Sequence, residues 1–183
     1  STVSVLGTAS VAANAIGNTL ASFQVVPGTA LGLAIVTVVS RCAGASEYDR
    51  ARYYTKKMMR TAYLYMILAC LPLILKLYNV SDQAREWATQ ILWMHGLCGI
   101  LIWPLAFTLP QALRAAGDTR FTMVASTVSM WTLRVGLGVL LGRYWGFGVL
   151  GIWMAMFADW ALRAALFVPR FHGHKWETMG LEN

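Results

Sequence analysis

Charged side chains divide this sequence into long apolar stretches. Nothing ionisable occurs from Ser1 to Ser40, and Arg41 to Arg60 is strongly basic. Thr61 to Leu75 is free of charge, Lys76 to Glu86 is polar, and Trp87 to Leu113 is again free of charge. Arg114 to Arg120 is a short polar turn. Phe121 to Gly142 is interrupted by Arg134 alone, and Tyr144 to Pro169 by Asp159 and Arg163. A helix rises about 1.5 Å per residue, so about 20 mainly apolar residues cross the hydrocarbon of a bilayer. The pattern predicts five helices, over 8–42, 54–78, 84–113, 120–143 and 148–170. The second has the shortest charge-free run and spans if Arg60 and Lys76 snorkel to the two interfaces. Pro27, Pro104 and Pro110 each remove a backbone donor inside a span, which predicts bends there. The fold class is all-α, a polytopic transmembrane helix bundle.

Composition narrows the class further. Of 183 residues, 57% are hydrophobic and 13% charged, against about 25% charged in a soluble domain. Mean hydropathy is +0.54. Soluble globular, disordered and collagen-like classes drop out, and the bilayer is the first partner. The net charge of +7 does not point to nucleic acid, because the basic residues sit at the ends of apolar runs and face lipid headgroups. Cys42, Cys70 and Cys98 show no CxxC or Cys/His spacing, so neither a metal nor a disulfide is expected, and they read as packing residues. No HExxH, GxSxG or Walker A pattern appears, and no GxGxxG in a strand–helix context. The expectation is no enzyme, no catalytic residue and no cofactor.

The basic residues alternate in side. Arg41, Arg50, Arg52, Lys56, Lys57 and Arg60, then Arg114 and Arg120, then Arg170 and Lys175 fall on one side. Lys76, Arg85 and Arg143 fall on the other. By the positive-inside rule the first side is cytoplasmic, with the amino end outside and the carboxyl end inside. Trp87, Trp145 and Trp176 are expected in interfacial aromatic belts. The opening without Met and the odd number of spans read as part of a longer frame. The tail 171–183 is too short for a second domain.

Ionisable groups inside spans are the informative residues, since each costs ~2.5–3.5 kcal/mol at a helix centre. Arg134 lies roughly 13 Å and Asp159 roughly 16 Å along their helices from the same interface. The short turn Tyr144 to Gly148 makes those helices antiparallel neighbours, which predicts an Arg134–Asp159 pair. Asp159 and Arg163 also share a face at i, i+4. The predicted network of Arg134, Asp159 and Arg163 either locks two helices or walls a transport pathway. Weaker polar residues are Asn14, Asn18, Gln24, Gln90, His95, Thr127 and Trp131. Asn14 and Asn18 share a face suited to interhelical hydrogen bonds. His95 is either a packing residue or a group that titrates near neutral pH. Gly32, Ala34, Gly136, Gly138 and Gly142 suit close helix approach.

Several stretches together resemble a known family. They are Ala12-Ala13-Asn14-Ala15-Ile16, Pro27-Gly28, Arg41-Cys42-Ala43-Gly44-Ala45 and Leu113-Arg114-Ala115-Ala116-Gly117-Asp118-Thr119-Arg120-Phe121. Trp131-Thr132-Leu133-Arg134-Val135, then Gly151-Ile152-Trp153-Met154-Ala155-Met156 with Asp159-Trp160 and Arg163, continue the pattern. In order and spacing they resemble the carboxyl-terminal lobe of MATE (multidrug and toxic compound extrusion) transporters. The resemblance implies about five spans of a six-helix half-transporter lobe, the eighth to twelfth helices, with an amino-terminal lobe of the same chain as partner. It implies a secondary antiporter, in a bacterial plasma membrane, that exports drugs or small organic cations by alternating access. Inward H⁺ or Na⁺ would drive it. Asn14, Asn18, Gln24, His95, Trp131 and Arg134 would then face the substrate cavity. Some members carry a coupling carboxylate on the tenth helix. The corresponding span, 84–113, has only Glu86 at its margin, so the ion stays open. The competing expectations are a flippase for lipid-linked oligosaccharides and a non-transporting membrane scaffold.

Overall fold

A computed structural model describes residues 8–69, 93–173 and 175–178. Among these residues the chain is helical with no strand. Helix α1 runs Thr8–Gly44 and α2 runs Tyr48–Ala69. Helix α3 has two arms, Trp93–Leu101 and Pro104–Ala115, bent by 54°. Helix α4 is Thr119–Tyr144 and α5 is Gly148–His172. A short α6, Lys175–Thr178, follows. Three helical segments are long and apolar enough to cross a membrane: Val25–Gly44 within α1, α4 and α5. The bent α3 makes a fourth if its arms form one span.

Helix α2 starts at Tyr48, ahead of the predicted 54. Its early residues form a helical stripe, with Ala51, Thr55, Met59, Ala62 and Met66 buried while Arg50, Lys56, Lys57 and Arg60 face outward. Charge marked that segment as a loop in the sequence, but it is an amphipathic helix lying on α1. The predicted end of that span at 78, the start of the next at 84, and Lys76, Arg85, Glu86, Trp87, Gln90 and Cys70 lie outside the described residues.

The α3–α4 turn shows how the sequence stops one helix and starts the next. Gly117 N–H donates to the Arg114 carbonyl at 3.0 Å and Asp118 N–H to the Leu113 carbonyl at 2.9 Å. This six-to-one closure needs a left-handed residue, and Gly117 supplies it at φ 99°. The 54° bend in α3 falls just before Pro104, which cannot donate, and the next turn, Pro104–Thr108, widens to π geometry. Helix α1 continues unbroken through Pro27. Pro110 falls inside the second arm of α3 just past that wide turn, and the helix continues through it.

Two apolar cores result. One joins the basic ends of the helices: Ile35, Val39 and Cys42 of α1, Met59 of α2, Leu109 and Leu113 of α3, and Phe167 and Phe171 of α5. The other lies farther along and holds Met66, Trp103, Val149, Trp153, Phe157 and Trp160. Close approach of α4 and α5 depends on small residues. A Cβ on Gly142 would come within 2.9 Å of Ile152, and one on Gly138 would touch Ala155 at 3.6 Å. Ala34 and Gly136, expected to serve likewise, are exposed instead.

The tail corrects a second expectation. Trp176 is 1% exposed, not in an interfacial belt. Its ring stacks on Phe171 at 5.6 Å and its indole N–H donates to the Phe171 carbonyl at 2.9 Å. Arg52 of α2 pairs with Glu177, its Nε lying 2.7 Å from Oε1. The backbone turns at Gly173, and α6 folds back over the basic-end core. Trp145 is exposed in the α4–α5 turn.

Candidate functional site

Helix α5 buries Asp159 completely and leaves Arg163 8% exposed. One turn apart on one face, they bond directly, with Arg163 Nε donating to Asp159 Oδ1 at 2.9 Å. Ser129 of α4 donates its hydroxyl to the same carboxylate oxygen and faces the Asp159 carbonyl at 3.2 Å. Arg163 Nη2 donates to the Ser126 carbonyl at 3.2 Å, and the guanidinium lies over the Phe107 ring at 5.4 Å. In a low-dielectric interior a carboxylate needs such donors, because desolvation otherwise outweighs the Coulomb gain. The satisfaction is incomplete. Asp159 Oδ2, Ser126 Oγ and Trp160 Nε1 are buried with no hydrogen-bond partner among the described residues.

Arg134 does not pair with Asp159. It stands exposed, with no ion pair among the described residues. The reason is helix geometry. Gly138 faces Ala155 near the turn, and a regular α-helix would bring Arg134 to Asp159 one turn later. From Met130 to Leu137, however, α4 has π geometry, with more residues per turn and less advance per residue. Ser129 therefore arrives opposite Asp159, and Arg134 swings outward. Arg163 alone of the two arginines takes the carboxylate.

The other predicted residues do not converge on one site. Trp153 Nε1 donates to Asn14 Oδ1 at 3.2 Å, an α5-to-α1 bond, while Asn18 turns back to the Asn14 carbonyl at 2.9 Å. Gln24 has no described side chain. His95 is 3% exposed and enclosed by Trp153, Phe157 and Trp160 at ring separations of 5.8, 6.4 and 5.4 Å. Trp131 is 62% exposed on α4. The structure instead forms two adjoining cavities. One, of about 240 Å³, lies among α1, α3, α4 and α5 and is lined by Gly28, Gly32, Trp103, Phe107, Gln111 and Arg163. The other, of about 610 Å³, is lined by Arg114, Thr119, Arg120, Met123, Ser126 and Thr127. Arg114 and Ser126 border both. Thr127 was expected to be polar within its span. Trp103, Gln111 and Arg114 were missed, although Gly28 and Gly32 at i, i+4 mark where α1 admits bulk from α3. A Cβ on Gly28 would lie 2.2 Å from the Trp103 ring.

Comparison with known proteins places this geometry in context. A family model described as MatE matches residues 1–140. The uncharacterized transporter YisQ of Bacillus subtilis is 23% identical over 98% of this chain and 40% of its own length. A protein named "Probable multidrug resistance protein NorM" from Thermotoga maritima is 25% identical over 94% of this chain and 38% of its own. One of the same name from Burkholderia mallei is 30% identical over 93% of this chain and 39% of its own. The chain thus spans about 40% of the length of the curated relatives it matches. No solved structure matches it.

Proposed function

Because the chain belongs to the MatE family, we propose that it forms part of a secondary active transporter. In this reading the transporter exports drugs or small organic cations in exchange for inward H⁺ or Na⁺. The basic end faces the cytoplasm of a bacterial cell, and an amino-terminal lobe closes the substrate path. Alternating access follows from rocking of the two lobes, for which the bent α3 and the wide turns of α4 are suited hinges.

The observation that supports this best is the 240 Å³ cavity bordered by four helices. Stacked Trp103 and Phe107 rings, 5.3 Å apart, stand beside glycines that leave room against α1. Flat aromatic faces attract organic cations through the ring quadrupole. Two arginines border this cavity: Asp159 neutralises Arg163 in place, whereas Arg114, on the edge shared with the larger cavity, has no carboxylate partner among the described residues.

The test is accumulation of a cationic dye in cells carrying the complete reading frame. Expression lowers accumulation, and an uncoupler or sodium removal restores it, according to the coupling ion. Unchanged accumulation across a panel of cationic dyes overturns the reading.

A further inference from the structure

The charges of this chain are unevenly spent. Among the described acids, Glu47 holds Arg50, Glu177 holds Arg52, Asp118 holds Arg170 and Asp159 holds Arg163. Arg114 and Arg120 are left without a carboxylate among the described residues, and both line the 610 Å³ cavity. Among the described residues Arg114 makes only a long bond, 3.3 Å, from Nε to the Thr122 hydroxyl, and it also lies within reach of the Arg163 charge. Asp118, the nearest acid in sequence to both, has both oxygens committed to Arg170, at 2.7 and 3.2 Å. It also gives no side-chain cap to the first amides of α4. The uncapped start of a long helix adds to the positive potential.

The cavity thus offers two guanidiniums with no acid in its wall. That is the chemistry of a phosphate site, since arginine matches phosphate oxygens in charge and geometry. Its position selects the source of the phosphate. From Met123 the same face of α4 continues at helical spacing through Met130 and Trp131, all three exposed. Free phosphate would leave that apolar strip unused, whereas a lipid tail would cover it. We propose that this cavity binds the headgroup phosphate of an anionic phospholipid through Arg114 and Arg120, its acyl chains lying along Met123, Met130 and Trp131. The proposal requires a bilayer around the chain and does not depend on the transport reading.

The test uses the full chain, delipidated in a neutral detergent and titrated with phosphatidylglycerol, phosphatidylcholine or inorganic phosphate. Bound lipid is counted by native mass spectrometry, and the thermal midpoint is followed in parallel. Phosphatidylglycerol is expected to bind and raise the midpoint, with phosphatidylcholine far weaker. R120Q, which removes a side chain with no hydrogen bond or ion pair to a described residue, weakens phosphatidylglycerol binding about tenfold. R114Q/R120Q abolishes it, and R114K/R120K retains part of it. K56Q/K57Q, on α2, leaves it unchanged. The proposal is overturned by equal binding of phosphatidylcholine, or by a midpoint shift that inorganic phosphate alone reproduces. Wild-type affinity in R120Q, or equal loss in K56Q/K57Q, overturns it as well.

Discussion

Helix α5 carries two arginine–carboxylate pairs, and they are built differently. At the basic end Arg170 grips both oxygens of Asp118 and covers the Phe121 ring at 4.7 Å. Around it Arg52 holds Glu177, and Trp176 seals the core from below. Farther along, Arg163 and Ser129 share a single oxygen of Asp159, while Oδ2 and the neighbouring Trp160 N–H have no described partner. The pair nearer water is fully satisfied, and the pair sealed from it is not. An unsatisfied buried polar atom costs about 1–3 kcal/mol, and natural proteins carry such departures mainly at functional or strained sites. The first region is a clamp. The second is a junction whose α4 side is already wound loosely over Met130–Leu137.

The strongest way to break this contrast is Asp159→Ala. It strands the Arg163 cation in a low-dielectric interior, with an expected cost of about 3–5 kcal/mol. Yield of monodisperse protein and the thermal midpoint should both fall sharply, and Asp159→Glu should fall less. Equal yield and midpoint for all three forms would mean that the junction carries no structural load. Next in size is Trp176→Ala, which empties a fully buried aromatic site at the clamp. The expected loss is about 3 kcal/mol, read as a lower thermal midpoint and faster proteolysis of the tail. An unchanged midpoint would return Trp176 to the membrane interface.

Much of this contrast was written in the sequence, but unequally. Uninterrupted apolar runs gave α4 and α5 to within a few residues, because a span's length is set by the bilayer rather than by tertiary context, whereas α1 runs well past its membrane-crossing segment Val25–Gly44. The Asp159–Arg163 bond was visible because both partners ride one helix at a fixed spacing. The Asp118–Arg170 bond was not. Its partners are 52 residues apart, and both looked like ordinary interfacial charges. Arg134 was misplaced because hydrophobic periodicity does not show where a helix widens by one residue per turn. The start of α2 was hidden for another reason. Its exposed Arg and Lys residues read as loop until Ala51, Thr55 and Met59 are seen to share a buried stripe. Arg114 looked like part of a cytoplasmic turn, and only the packing of α3 on α4 opens a cavity beside it.

Smaller changes sharpen the comparison. Asp118→Asn keeps the shape of the clamp but removes its charge. The expected loss is about 2 kcal/mol, measured as the thermal midpoint against Asp159→Asn made in parallel. A larger drop for Asp118→Asn would reverse the ranking of the two pairs.

The smallest expected effect is also the most discriminating. Arg134→Gln removes an arginine that the sequence places opposite Asp159 and the structure places outside. If Ser129 and Arg163 already hold the carboxylate, the glutamine should leave the thermal midpoint within about 0.5 kcal/mol of wild type, as exposed substitutions usually do. Arg163→Gln, by contrast, leaves the Asp159 anion buried with only the Ser129 hydroxyl, and should resemble Asp159→Ala. The double variant adds the decisive term. Arg134 feels the Asp159 charge but makes no hydrogen bond or ion pair to it, so any coupling is small and Arg134→Gln with Arg163→Gln should exceed Arg163→Gln alone by no more than about 0.5 kcal/mol. A penalty for Arg134→Gln that approaches that of Arg163→Gln, or one that vanishes once Asp159 is also replaced, would mean that α4 winds as a regular helix and that both arginines share the carboxylate.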